Sequence, residues 1–191
     1  MKKENYYSIL LMTLFGLAGS ILLGFIFYRK AIFIPAKPAF QFVMNGFMGA
    51  LFLGLLEYRS VRAQTYGIIL ILAIALLGTG NALTLAYFIR NVLYLAGLLL
   101  SILLYYQLLK KNSRISYYLR SFILVSLYAL LNIVAGTLVY LINAKEGFPA
   151  LSFIYQLAIY GALIGLGIGL GADLFLQNRK RILRFLRIVT E

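Results

Sequence analysis

The chain has 191 residues, of which 63% are hydrophobic and only 12% are charged, and its formal net charge is +13. A soluble domain is closer to half apolar and a quarter charged, so this composition excludes an ordinary soluble protein and indicates a lipid environment. The chain has no cysteine and no histidine, which excludes disulfides, iron–sulfur clusters and thiolate catalysis and removes the commonest general base.

The apolar residues fall into six segments, each long enough for a helix to cross the hydrocarbon core. Peptide groups in lipid must bond to one another, so each segment is predicted to be a helix. The predicted spans are residues 6–28, 39–58, 65–89, 92–109, 121–143 and 151–177. We therefore expect an all-α fold: a polytopic integral membrane protein, built as a six-transmembrane-helix bundle over residues 1–177.

The boundary between the third and fourth segments is the least obvious, because residues 65–109 are almost continuously apolar. A break at Gly78–Asn81 leaves residues 65–77, which are too short to span a membrane. A break at Arg90-Asn91 leaves two spanning helices joined by a tight turn. The sequence thus predicts a turn at Arg90-Asn91 and places Gly78–Asn81 inside the third helix.

Lysine and arginine predict the orientation of the six spans, because cytoplasmic loops are enriched in both. The side that holds the two termini and the second and fourth loops carries 13 of the 18 basic residues. We expect a multi-pass protein of the cell membrane with both termini in the cytoplasm. The positive charge is interpreted as flanking the membrane helices, so no nucleic-acid partner is predicted.

The glycine-rich stretch GALIGLGIGLG, residues 161–171, has the spacing of a helix interface. It lacks the further glycine of a dinucleotide fingerprint and the lysine of a phosphate-binding loop. Glycines four apart leave a flat helix face against which another backbone packs closely. The residues predicted to pack in this way are Gly161, Gly165 and Gly169 on one face, Gly167 and Gly171 on the next, and Gly46, Ala50 and Gly54 in the second segment.

These small residues predict a close-packed core made from the first, second and sixth segments. The same motif also serves contacts between chains, so a second copy or another membrane subunit stays open as the partner. A weak similarity accompanies it: PAFQF begins the second span at Pro38 and PALSF begins the sixth at Pro149, which aligns Gly54 with Gly165. This register is what two repeated hairpins would show; the alternative is that Pro-Ala is simply a common helix start, because proline fits the first turn.

Polar residues within the spans are the candidates for ligand binding, since such groups are expensive in lipid. They are Asn45, Thr79, Asn81, Asp173 and Glu57. Asp173 and Glu57 lie at similar depth, where they are expected to meet or to pair with Arg59, Arg62 or Arg179. Helix-to-helix hydrogen bonds for the amides, and hydrated positions for the carboxylates, are the alternatives. No catalytic residue, metal site or cofactor is predicted.

The tail, residues 178–191, combines apolar residues at helical spacing with a run of basic residues. This pattern is typical of a short basic amphipathic helix that lies on the cytoplasmic leaflet and binds anionic lipid headgroups. A cytoplasmic partner is the alternative. The basic residues expected to make these contacts are Arg179, Lys180, Arg181, Arg184 and Arg187.

The functional hypothesis that follows is a non-catalytic integral membrane subunit that binds or transports a small or lipidic molecule within a larger membrane complex. The first alternative is a signalling or scaffold module with a basic cytoplasmic docking tail. The second is an intramembrane lipid-modifying enzyme in which Asp173 and Glu57 act as acid and base.

Overall fold

The computed structural model describes residues 3–28, 41–58, 85–111, 117–143 and 149–188, and the helices account for nearly all of them. These residues form five helices, which we number in chain order: α1 Lys3–Tyr28, α2 Gln41–Glu57, α3 Leu85–Lys111, α4 Tyr117–Asn143 and α5 Leu151–Phe185. The expected all-helical architecture is confirmed for this part of the chain.

Three of the helices are long and apolar enough to cross a membrane, over Glu4–Phe27, Ser121–Ile142 and Leu151–Phe185. At 1.5 Å per residue, the 35 residues of α5 extend about 50 Å. Phe42–Glu57 and Val92–Leu108 are shorter apolar helices among the described residues. The length and composition of these helices are those of a helical membrane protein, whereas six spans and their orientation stay predictions.

Helix α5 lies at the centre of the bundle, with α1 and α4 as its main neighbours. Helix α2 packs mainly against α1, and α3 packs mainly against α4. The buried core between them is filled by large apolar side chains, among which Phe42, Ile102, Leu124, Ile168 and Phe175 are almost fully excluded from the surface.

The contacts between helices also give their directions. Arg179 of α5 contacts Glu4 of α1 and Tyr58 beyond α2, and Ser121 of α4 contacts Asp173 of α5. We call the end of the bundle that holds Glu4, Tyr58, Ser121 and Arg179 the Arg179 end. Helices α1 and α4 begin at this end, and α2 and α5 finish there.

Helix α3 also finishes at the Arg179 end. A Cβ on Gly97, 14 residues before the end of α3, would lie 3.3 Å from the carbonyl oxygen of Leu131, 14 residues after the start of α4. That contact joins the middles of the two helices, and their directions follow from the connection between them: α3 ends at Lys111 and α4 begins at Tyr117, and six extended residues reach at most about 22 Å, about half the length of a 27-residue helix. The end of α3 therefore lies near the start of α4, the two helices are antiparallel, and α3 runs in the same direction as α2.

The structure corrects the predicted turn at Arg90-Asn91. Helix α3 runs without interruption from Leu85 to Lys111 and includes both residues. Neither residue removes a backbone donor or requires a positive φ, and arginine is a good helix former, so the helix continues through them. The other candidate break, Gly78–Asn81, lies outside the described residues.

The basic tail also differs from the prediction, because no break separates it from the last span. Helix α5 continues from the membrane segment to Phe185. It ends where Arg187 adopts a φ of 54° and donates its backbone N–H to Arg184 O at 2.9 Å. Ile188 N donates to Leu183 O at 3.0 Å. This pair of bonds is a Schellman motif, which reverses the chain at a helix end.

Candidate functional site

The first glycine face of α5 packs on α4. A Cβ on Gly161 would lie 2.8 Å from Ala129 Cα, one on Gly165 would lie 3.2 Å from Val125 Cα, and one on Gly169 would lie 3.2 Å from Ser121 Cα. Such distances leave no room for a side chain, so the two backbones are in direct contact. The predicted core did not include this partner, although small residues at Ser121 and Ala129 are a weak signal for it.

The second glycine face of α5 packs on α1. A Cβ on Gly167 would lie 2.5 Å from Ser20 Cα, and one on Gly171 would lie 2.7 Å from Gly16 Cα and in closer contact with Phe15 O. Helix α5 is therefore held between two helix backbones on adjacent faces. Both faces are occupied inside one chain.

The small residues of α2 face α1. A Cβ on Gly46 would lie 2.6 Å from Ser20 Cβ, Ala50 Cβ lies 2.5 Å from a Cβ placed on Gly16, and Gly54 has ordinary contacts with Ile9. Gly49, which sequence reasoning did not select, faces the centre of the bundle instead. A Cβ there would lie 2.6 Å from Ile168 Cδ1.

Two amides in the buried part of the bundle bond to neighbouring helices. Asn45 Nδ2 donates to Tyr128 Oη at 3.0 Å, joining α2 to α4. Asn132 Nδ2 donates to Leu157 O at 2.6 Å, joining α4 to α5. Asn45 therefore makes a hydrogen bond between helices, which the sequence analysis gave as the alternative to ligand binding. The candidates Thr79 and Asn81 lie outside the described residues.

The two candidate carboxylates have different surroundings. Asp173 is buried in α5 and accepts a hydrogen bond from Ser121 Oγ at 2.7 Å. Glu57 is exposed at the end of α2. An acid–base pair made from these two residues stays a prediction without support from this arrangement.

Arg179 forms the polar contact that joins three helices at the Arg179 end. Its Nη2 lies 2.6 Å from Glu4 Oε1, its Nε donates to Ser8 Oγ at 3.1 Å, and its guanidinium carbon lies 5.1 Å from the centroid of the Tyr58 ring. Sequence reasoning expected Asp173 or Glu57 as its partner and missed Glu4. The available signal was that Glu4 is the one acidic residue close to the start of the first predicted span, which begins two residues later.

The other predicted contact residues of the tail form an exposed basic surface. Lys180, Arg181, Arg184 and Arg187 are all exposed. Within the part of the chain that the structure describes, Arg179 and Glu4 form the one ion pair, so these four cations have no acidic partner there. Phe185, between Arg184 and the chain reversal, is 85% exposed.

A groove of about 370 Å³ lies between α1 and the chain reversal at the end of α5. The Schellman motif creates it, because it carries the residues after Phe185 back toward α1. Tyr7, Leu10 and Leu11 line one side, and Leu186, Arg187 and Ile188 line the other. Four aliphatic residues, one tyrosine and one arginine therefore line the groove. Sequence reasoning assigned Arg187 a contact with lipid or a partner but did not predict a groove.

Comparison of the chain with known protein families, with curated proteins and with solved structures finds no match. Among the residues that the structure describes, no three carboxylate side chains gather into a group that would hold a metal ion. Any functional proposal therefore depends on the packing, the charges and the groove described above.

Proposed function

We propose that this protein is a non-catalytic integral membrane subunit that binds a lipidic molecule and acts within a larger membrane complex. The groove between α1 and the end of α5 is the observation that carries the proposal. Its lining includes three leucines and an isoleucine, which suit an acyl chain, and one cation, Arg187. Binding sites for small molecules commonly combine a largely apolar lining with few polar groups.

The packing of the bundle supports a surface site over a path through the interior. The backbones of α1, α4 and α5 touch at Gly161, Gly167 and Gly171, and the buried amides bond to neighbouring helices. A ligand that enters between these helices has to separate backbones in contact. A ligand in the groove displaces none of these contacts.

The outward face of α4 supports the placement in a membrane complex. Large apolar side chains follow one another along it, and Phe122 and Leu130 are 64% and 59% exposed. A face of this kind is stable against acyl chains or against the apolar helix of another subunit.

The test is purification of the protein from its native membranes in a mild detergent, followed by native mass spectrometry. We expect a lipid of defined mass bound in a stoichiometric amount, together with at least one further membrane protein. A second sample, stripped in a harsher detergent, serves as the control and should lose the lipid mass. A bare monomer in the mild detergent would contradict the proposal.

The exposed basic surface favours a second function, that of a signalling or scaffold module. Lys180, Arg181 and Arg184 lie on the part of α5 that extends past the predicted span. A variant with all three changed to glutamine keeps Arg179 and the buried Leu183, and hence the packing of the helix end. Loss of a cytoplasmic partner, with bound lipid unchanged, would identify docking as the function of this surface.

A further inference from the structure

We infer that the groove between α1 and the end of α5 binds one anionic phospholipid, with its phosphate at Arg187 and one acyl chain along α1. The inference rests on the proposed function and names the class of its ligand. The inference depends on two lining residues: Arg187 supplies the positive charge, and Leu10 supplies part of the apolar surface.

The apolar wall of the groove continues along α1. Leu10 lines the groove and is 54% exposed, and Leu14, one turn further into the span, is 48% exposed. Residues four apart lie on the same side of a helix. An acyl chain that starts in the groove therefore remains on an apolar surface as it descends toward the middle of the membrane.

The position of the groove matches the depth of a headgroup. Tyr7 lies in the second turn of α1, close to the start of the span Glu4–Phe27. Tyrosine is enriched where the hydrocarbon meets the headgroups, because its ring is apolar and its hydroxyl is polar. The part of the groove next to Arg187 and Tyr7 is then the part that a phosphate reaches.

The charges around the groove favour an anionic ligand. Arg187 is exposed and is the one cation among the residues that line the groove. The carboxylate of Glu4, one turn before Tyr7 on α1, is bonded to Arg179. A guanidinium binds a phosphate through two parallel charge-assisted hydrogen bonds, so a lipid with net negative charge complements this site better than a zwitterionic one.

The backbone places Arg187 at the rim. Its φ of 54° lies in the left-handed region, which glycine usually occupies at this point of a Schellman motif. A glycine here preserves the chain reversal, and with it the groove, while it removes the guanidinium. Arg187→Gly is thus a variant that separates the charge from the shape of the site.

The experiment uses the full-length chain in a neutral detergent, titrated with phosphatidylglycerol or with phosphatidylcholine and read by native mass spectrometry. We expect one phosphatidylglycerol to bind at least tenfold more tightly than phosphatidylcholine. Arg187→Gly should weaken the binding of phosphatidylglycerol at least tenfold, whereas Arg181→Gln, which removes a charge outside the groove, should change it less than twofold. A melting temperature equal to that of the wild type confirms that Arg187→Gly is folded.

A second pair of variants tests the apolar wall. Leu10→Trp fills the groove and should also weaken phosphatidylglycerol binding tenfold, while Leu14→Trp, on the same exposed face but outside the groove, should not. Excess inorganic phosphate should leave the lipid bound, and displacement by phosphate alone would overturn the inference.

The outcomes separate this inference from the function on which it rests. Equal effects of Arg187→Gly and Arg181→Gln would overturn it, because they would indicate diffuse attraction only. Equal affinity for the two lipids, with both lost in Leu10→Trp, would overturn the inference that the ligand is anionic. The proposal that the protein is a lipid-binding subunit would stand. Failure of the wild-type chain to bind either lipid would contradict both.

Discussion

At the scale of single residues, glycines determine how closely two helices approach, because they have no side chain to separate the backbones. The α5 backbone approaches α1 at Gly167 and Gly171 more closely than any β-carbon permits. In water, glycine weakens a helix by about 1 kcal/mol relative to alanine. In lipid the helix is maintained because its peptide groups have no other partner, and the glycines gain contact between backbones.

Adding one methyl group at Gly171 should therefore be far more damaging than adding it at Gly54. In Gly171→Ala the new Cβ meets Phe15 O and Gly16 Cα, which are backbone atoms that cannot rotate away. In Gly54→Ala the nearest atoms lie at 3.5 Å, an ordinary contact. We expect destabilisation of about 1–3 kcal/mol for Gly171→Ala, read as a lower unfolding temperature in detergent. Equal unfolding temperatures for the two variants would contradict the packing of α5 on α1.

The hydrogen bond between Asn45 and Tyr128 makes a second prediction at this scale. Tyr128→Phe keeps the ring but leaves Asn45 Nδ2 without its acceptor in the core. Hydrogen bonds between membrane helices are worth roughly 1 kcal/mol, so we expect a loss of about that size in the free energy of unfolding. The control is Tyr155→Phe, since the Tyr155 side chain is 66% exposed and lies outside the core. If both variants unfold alike, the bond between α2 and α4 contributes nothing.

At the scale of elements, two hairpins use the same positions. When Pro38 is aligned with Pro149, three residues of α2 correspond to three of α5: Gly46 to Leu157, Ala50 to Gly161 and Gly54 to Gly165. The first set packs on α1 and the second on α4, in the same order along the helix. Both hairpins leave the Arg179 end and return to it. The suggested repeat remains a hypothesis, which this shared register supports.

The two hairpins also differ, because α5 packs against both α1 and α4, whereas α2 packs mainly against α1. The second glycine face of α5, at Gly167 and Gly171, makes the difference. At the aligned positions, 56 and 60, the chain has leucine and serine. If the hairpins share an origin, α5 acquired its central position through these glycines.

The first turns of α1 are attached to the end of α5 by Arg179, which makes a prediction at the scale of elements. Arg179→Gln removes the ion pair with Glu4 and the contact with the Tyr58 ring. Partly exposed pairs of this kind contribute up to about 1 kcal/mol, enough to loosen a helix end. We expect faster hydrogen exchange of the backbone amides around Ser8, with little change in the middle of α1.

Arg181→Gln is the matched control for that measurement. It removes the same charge two residues away, from a side chain that is exposed and has no ion pair among the described residues. Its exchange pattern should equal that of the wild type. Faster exchange around Ser8 in both variants would indicate an effect of net charge and would count against the contact.

At the scale of the whole molecule, the directions of the helices bear on the number of spans. Helices α2 and α3 both finish at the Arg179 end, although they follow one another among the described helices. These directions are compatible with the six-span arrangement. The number of spans stays a prediction, because the residues between Tyr58 and Leu85 lie outside the described ranges.

The chain contains no cysteine, so single cysteines report the topology without background. We expect Tyr6→Cys and Gln177→Cys to react with a membrane-impermeant thiol reagent from the same side, the cytoplasmic one. Leu151→Cys, at an exposed position at the opposite end, should react from the other side. All three positions are exposed in the structure. Labelling of Tyr6→Cys and Gln177→Cys from different sides would contradict the whole arrangement.

The sequence alone determined the membrane class, the helical state of the long apolar segments and the positions at which small residues recur. Each of these follows from properties that a segment has by itself, namely its hydropathy, its length and the need to satisfy its own peptide groups in lipid. The incorrect prediction of a turn at Arg90-Asn91 has the same origin, because two polar residues interrupt an apolar segment without ending the helix.

Only the tertiary structure decided which faces meet. The pair of Glu4 with Arg179, the packing of α5 on α4, and the groove between Leu10 and Arg187 join residues far apart in the chain. Lipid surrounds every apolar face equally well, so hydrophobicity does not choose a partner for any of them. The choice depends on how two helix surfaces fit each other, and neither surface contains that information by itself.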